Sequence, residues 1–285
     1  MATMRDIKRR KTSIQSTQQI TKAMKLVSTV KLQKARTRAE ESKPYFNHMY
    51  ETVSSMLGKS ENITHPYLTG GDSKKKAIVT ITSNRGLAGG YNSNISKLIM
   101  NSGFSKEDVI IYAVGTKGRD FLSGKGYYVK EDYSDVINSP QYSDAKTICD
   151  TIIQSFAAGE IGEIYLAYTS FKNTVSQEAK LIKLLPVEIE PKKKDSSEKS
   201  VPMNYEPNEQ EALDMIIPKY ITSLFFGAMV ESVASENGAR MQAMDSATSN
   251  AEAMIDDLSL KYNRARQGSI TQELTEIIAG AEAIS

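Results

Sequence analysis

The residues that come nearest to a reactive constellation are Thr82-Ser83-Asn84-Arg85-Gly86-Leu87-Ala88-Gly89-Gly90-Tyr91-Asn92, a glycine-rich turn between a β-branched run and a helical one. Backbone N–H groups at such a helix start can hold a phosphate. The spacing argues against that use. The segment lacks the Gly-Lys-Ser/Thr of a P-loop and the G-x-G-x-x-G of a dinucleotide site, and the next strand ends at Val114-Gly115 without an acid for a ribose. The glycines are therefore expected to serve a tight turn and a close approach of helix to sheet. His48 and His65 have no Cys or His at ligand spacing, so zinc is not expected. Cys149, the single cysteine, reads as a small packed hydrophobe. Asp256 and Asp257, adjacent in a helical stretch, point about 100° apart and suit a solvated face. No nucleophile-base arrangement is evident, and neither a catalytic residue nor a cofactor nor a metal is expected.

Three kinds of element surround these residues. From Met4 to Lys43 there is neither glycine nor proline, and the composition favours helix. The helix is expected to continue past Pro44 and end near Gly58, giving a rod on the order of 75 Å. In the middle, Ala77–Thr82 and Val109–Val114 are short and β-branched, Asn92–Met100 and Ser143–Ala158 are helical in pattern, and Glu163–Tyr168 is another strand. This alternation predicts a mostly parallel, Rossmann-like sheet covered by helices, with Lys180–Val187 as an antiparallel edge. Residues 191–200 offer nothing apolar to bury and suit a solvated linker. From Glu209 onward the pattern is helical again. The expected organisation is an N-terminal coiled-coil helix at 1–58, an α/β domain at 74–187, a linker at 188–208 and a C-terminal coiled-coil helix at 209–285.

The two terminal helices are expected to pair as an antiparallel coiled coil. Met241, Met244, Thr248, Ala251, Ile255, Leu258, Tyr262, Ala265 and Ser269 recur at steps of three and four. A matching stripe on the first helix is expected at Ala23, Leu26, Val27 and Val30. Charge agrees: residues 1–38 carry eleven Lys or Arg against one acid, and residues 231–285 carry nine acids against four bases. Exposed pairs are worth only about 0.2–1 kcal/mol each, so the charges speak to partner choice rather than to stability.

The 285 residues, 25% charged, carry a formal net charge of +2, too small a surplus to suggest nucleic-acid binding. The first ten residues have no apolar run behind their basic ones, unlike a secretory signal, and no stretch nears the roughly 18 consecutive apolar residues of a membrane span.

Several motifs in order resemble the gamma subunit of F-type ATP synthase, bacterial type. They are Arg5-Asp6-Ile7-Lys8-Arg9-Arg10, the run from Ser13 to Val27, Arg85–Asn92, Ser235-Glu236-Asn237-Gly238-Ala239-Arg240-Met241, Tyr262–Gln267 and Ile270-Thr271-Gln272-Glu273-Leu274. Ala88 stands where the family often has cysteine, no inserted cysteine pair is present for thiol regulation, and Lys11 falls where a hydrophobic residue is common.

The resemblance implies a non-catalytic central rotor shaft, coupling ion flow through the membrane sector to ATP synthesis or hydrolysis at the alpha/beta sites. The partners implied are the alpha, beta and epsilon subunits and the c-ring, with one copy of this chain per complex. Membrane association would run only through those partners, peripherally, at the cytoplasmic face of a bacterial plasma membrane. By the same carry-over, Arg266 and Gln267 engage a loop of one beta subunit, with Arg240, Thr271 and Glu273 in the same network. Met24 and Lys25 match the position passing the moving beta lever, and Tyr205 and Glu206 match the family's c-ring contact. The alternative from another class is a coiled-coil adaptor whose basic helix binds anionic membrane or nucleic acid.

Overall fold

The computed structural model describes residues 3–59, 65–71, 73–188 and 208–282. Tyr205, Glu206 and nearly all of the expected linker at 188–208 lie outside the described residues. The chain divides into two compact units, Met1–Ser28 with Met241–Ser285, and Thr29–Arg240. The long helices α1 (Met4–Lys59) and α6 (Glu209–Glu282) each contribute to both. The division by compactness cuts through α1 and α6.

In the larger unit, β1 (Lys76–Ile81), β2 (Val109–Val114), β3 (Tyr128–Asp132), β4 (Glu163–Phe171) and β5 (Gln177–Leu185) form one sheet in the order β3-β2-β1-β4-β5. The first four are parallel and β5 is the antiparallel edge, as the pattern predicts. Helices α3 (Tyr91–Met100), α4 (Thr116–Gly124) and α5 (Tyr142–Ala157) make the crossovers, and a short α2 (Pro66–Thr69) precedes the sheet.

Both faces of the sheet are covered, which is why β2 is buried at every position and β1 at all but its first, and not at alternate ones. Val79, Ile81, Tyr112, Val114, Ile164 and Leu166 pack with α5, the end of α1 and the first part of α6. Ile78, Val109, Ile111 and Ala113 face the other way, against Ile95 and Ile99 of α3 and Leu122 of α4.

α4 and β3 were not expected. Two glycines depress the helical signal of Thr116–Gly124, and Gly118 is needed there because a Cβ would meet Thr82 Oγ1 at 2.7 Å. β3 is a half-exposed, charged edge strand, so its residues carry no buried alternation.

In the smaller unit, α1 and α6 segments run antiparallel. The Thr21 and Thr248 hydroxyls meet at 2.8 Å and Lys25 Nζ reaches Asp245 at 2.5 Å, so position rises on one helix as it falls on the other. The expected α6 seam holds throughout, with Met244, Ala251 and Leu258 buried and the other six positions half-buried. The expected α1 stripe is corrected: Leu26, Val27 and Val30 are 64%, 57% and 58% exposed, and Ala23 is exposed too. The seam of this unit instead follows Ile7, Lys11, Ile14, Gln18, Thr21, Lys25 and Ser28, again at steps of four and three. Small hydroxyl residues let the backbones approach. Burying Thr21 is tolerable because its hydroxyl has both Gln18 O, at 3.0 Å, and Thr248 as partners.

α6 is also long and apolar enough to cross a bilayer by length and composition, with 56% of the qualifying stretch buried. Its apolar residues Leu213, Ile217, Ile221, Phe225 and Met229 lie in the protein core, which accounts for its hydropathy.

Candidate functional site

A sheet ordered 3-2-1-4-5 has its topological switch between β1 and β4, and in such sheets the crevice beyond the carboxyl ends of those strands is where ligands bind. In this chain α6 occupies that crevice. β1 pairs with β4 only as far as Thr80 against Ala167. Two residues further along β4, the Thr169 N–H donates to Ser232 Oγ at 3.3 Å and the Thr169 carbonyl accepts from Ser235 Oγ at 3.1 Å. All three side chains are buried.

The glycine-rich turn after β1 is held by the same helix. Arg240 donates to the carbonyls of Arg85 and Gly86 at 3.4 Å and to the Glu236 carboxylate at 2.6 Å, with both charged side chains nearly buried. Beneath them Tyr91 packs with Ala88 and Ala239. Burial, and then the neighbouring Glu236 carboxylate, hold the Tyr91 phenol well above its ordinary pKa.

The turn itself is closed by its own side chains. Asn92 Oδ1 accepts from Ser83 N at 2.9 Å, and Asn84 bridges Thr116 N and the Ser134 carbonyl at 3.0 and 2.7 Å. Gly115, with φ +119°, lies so close to the turn that a Cβ would meet the Thr82 carbonyl at 2.1 Å. Of the turn's own glycines, Gly89 takes the left-handed φ of +55° that a tight turn uses and a Cβ on Gly90 would meet the Asn94 amide at 3.2 Å, whereas one on Gly86 would meet nothing within 4 Å, so the close approach falls to Gly115 and Gly118 instead.

The other residues singled out fall into three groups. Arg266, Gln267, Thr271 and Glu273 are exposed on α6, with only the Thr271 hydroxyl bonded locally, to Gln267 O at 3.0 Å. Met24 and Lys25 are half-buried, and Lys25 is engaged with Asp245. Arg240 belongs to the larger unit and is turned inward. Ser232, Ser235 and Glu236 were not recognised as crevice residues. Ser235 and Glu236 open a motif of the family resemblance, and the local signals of the three are a serine pair at i, i+3 and a Glu-Arg pair at i, i+4, none of which points to a crevice.

Among the described residues no group of three or more His, Cys, Asp or Glu is placed to hold a metal ion. Cys149 is buried on α5, and that burial pushes its thiol up to about 12.

A doubly covered sheet with its ligand crevice filled by a helix of the same chain, and long helices that leave apolar side chains such as Leu26, Val27, Leu274 and Ile277 exposed, suit a protein that acts through contacts with other chains. The ATP synthase family model matches residues 3–284. The ATP synthase gamma chain of Lachnoclostridium phytofermentans is 67% identical over 291 residues, covering 100% of both chains. A chain of the Euglena gracilis mitochondrial ATP synthase in its F1/c-ring assembly superposes with a TM-score of 0.72 at 18% identity, over 99% of this chain and 94% of that one. Another, from the rotor of the same enzyme, gives 0.69 at 17% identity, over 94% and 98%.

The chain belongs to the ATP synthase gamma chain family. It is a subunit of that complex with no active site of its own, and the adaptor alternative finds no support in these comparisons.

Proposed function

We propose that this chain is the central rotating stalk of an ATP synthase, coupling ion flow in the membrane sector to ATP synthesis or hydrolysis. The observation that carries this is the end-to-end match to a gamma chain at 67% identity. Mechanism then rests on asymmetry. A shaft presenting a different side chain set to each surrounding catalytic subunit gives those subunits different nucleotide affinities, and turning it exchanges them.

Arg266, Gln267, Thr271 and Glu273 are proposed as direct contacts with a beta subunit, a role favoured by their exposure and by the planar, multidentate donor set of Arg266. Met24 and Lys25 are proposed beside the moving part of a beta subunit, and Tyr205 and Glu206 at the c-ring. Arg240 is proposed to serve the same network by holding the Arg85–Gly86 turn. Further proposed are one copy per complex, partnership with alpha, beta and epsilon subunits, peripheral placement at the cytoplasmic face of a bacterial plasma membrane, and a division of labour between the residues 74–187 and the terminal helices.

The test is reconstitution with purified alpha and beta subunits. A complex with one copy of this chain and a raised ATPase rate is expected, and Arg266→Ala should lower coupled turnover about tenfold or more while leaving circular dichroism unchanged. A chain that stays free, with ATPase independent of it, would overturn the proposal.

A further inference from the structure

Away from the filled crevice, the larger unit holds a groove of about 780 Å³ between α1, the start of α5, the β4–β5 hairpin and α6. Small-molecule sites usually measure about 300–1,000 Å³. The walls are aromatic, with Phe46 from α1, Tyr142 from α5, Tyr168 and Phe171 from β4 and Phe226 from α6. Phe226 meets Tyr142 edge-on at 5.8 Å and already accepts one cation, the Arg38 guanidinium, at 5.7 Å from its centroid.

Space in the groove comes from small residues on α6. Gly227 and Ala234 lie four before and three after Glu231, hence on the same side of the helix, and a Cβ added at Gly227 would meet nothing within 4 Å.

Glu231 lines this groove, and its Oε2 is buried without a hydrogen-bond partner. Of the three cations lining the groove, Arg36 is engaged with Glu40 at 3.0 Å and Lys172 with Glu178 at 2.7 Å, and Lys43 makes no hydrogen bond to Glu231 Oε2. The Tyr168 phenol is pushed up to about 12 by burial and then by the Glu231 carboxylate. A carboxylate oxygen removed from water with no partner is costly, and a counter-ion relieves that cost. Aromatic faces around it favour a cation that is itself weakly hydrated.

We propose that this groove binds a small organic cation with an apolar body, an amine or a quaternary ammonium, whose charge pairs with Glu231 while its body lies against Phe226, Tyr168 and Phe171. Such a ligand supplies the Glu231 carboxylate with a counter-charge and fills the space left by Gly227 at once. A neutral or anionic molecule of the same size does only the second.

Titration of the full chain with benzyltrimethylammonium, followed by saturation-transfer NMR and calorimetry, tests this, with benzyl alcohol and benzoate as neutral and anionic controls. One saturable site is expected, at least tenfold tighter for the cation than for either control. Glu231→Gln should weaken the cation roughly tenfold while leaving the melting temperature the same or higher. Gly227→Leu, which fills the groove while keeping the carboxylate, should remove binding with helicity unchanged. No saturable binding, equal binding of benzyl alcohol, or undiminished binding by both variants would overturn the proposal.

Discussion

Ser235 Oγ donates to the Thr169 carbonyl at 3.1 Å, at a level of β4 that β1 no longer pairs. With Ser232 accepting from the Thr169 N–H, α6 takes over the role of a neighbouring strand for one residue. A crevice that in related sheet architectures admits a ligand is here closed by hydrogen bonds as well as by packing. This ties the first part of α6 to the sheet through directional contacts, which resist sliding and rotation better than apolar contact alone.

Ser235→Ala leaves the buried Thr169 carbonyl without that partner, and an unsatisfied buried acceptor costs about 1–3 kcal/mol. The urea unfolding midpoint should fall accordingly with an unchanged m-value. A midpoint identical to the parent would show that the bond contributes nothing net.

Arg240→Ala strands the Glu236 carboxylate, whose side chain is 14% exposed, and frees the Arg85 and Gly86 carbonyls. Breaking one half of a buried pair costs about 3–5 kcal/mol. The double variant Arg240→Ala/Glu236→Ala should recover part of that loss, and a denaturation cycle over the four proteins measures the coupling. Strict additivity would contradict a shared network.

Gly115→Ala should be severely destabilising, because its Cβ would overlap the Thr82 carbonyl and φ is +119°. Gly124→Ala, at the end of α4 with nothing within 4 Å of the added Cβ, serves as the control and should change stability by less than about 1 kcal/mol. Thermal melts of the pair, read together, separate local crowding from a general intolerance of substitution.

Thr21→Val should cost about 1 kcal/mol, since it leaves the Thr248 hydroxyl without its cross-helix partner at the seam. Thr21→Val combined with Thr248→Val should be near neutral or stabilising, because both polar groups then leave the seam together. Circular dichroism melts of the full chain decide it; a double variant clearly less stable than the parent would show that the hydroxyl pair is a net stabiliser.

Much of the fold is legible residue by residue. Apolar runs such as Val109–Val114 can be buried only as central strands, and the α6 seam from Met241 to Ser269 repeats at the spacing that a coiled coil requires. β3 and α4 are not legible, because an exposed edge strand carries no alternation and a helix packed tightly on a turn needs glycine where propensity would forbid it. The α1 stripe at Ala23, Leu26, Val27 and Val30 misled for a related reason. Apolarity alone marks a face as wanting cover, and it does not say whether the same chain provides it.

The sequence by itself determined the long helices, the parallel sheet with its antiparallel edge, the want of a catalytic constellation and the family, since these follow from local periodicity and ordered motifs. Only the tertiary structure decided which face of α1 meets α6, that Arg240 turns inward to the Gly86 turn, and that Ser232 and Ser235 fill the crevice. Those depend on which distant segments meet: Thr169 and Ser235 are 66 residues apart, and nothing in either neighbourhood encodes the other. Local patterns fix what an element is, whereas the assignment of a polar side chain to one distant backbone group is settled only when packing has excluded water from both.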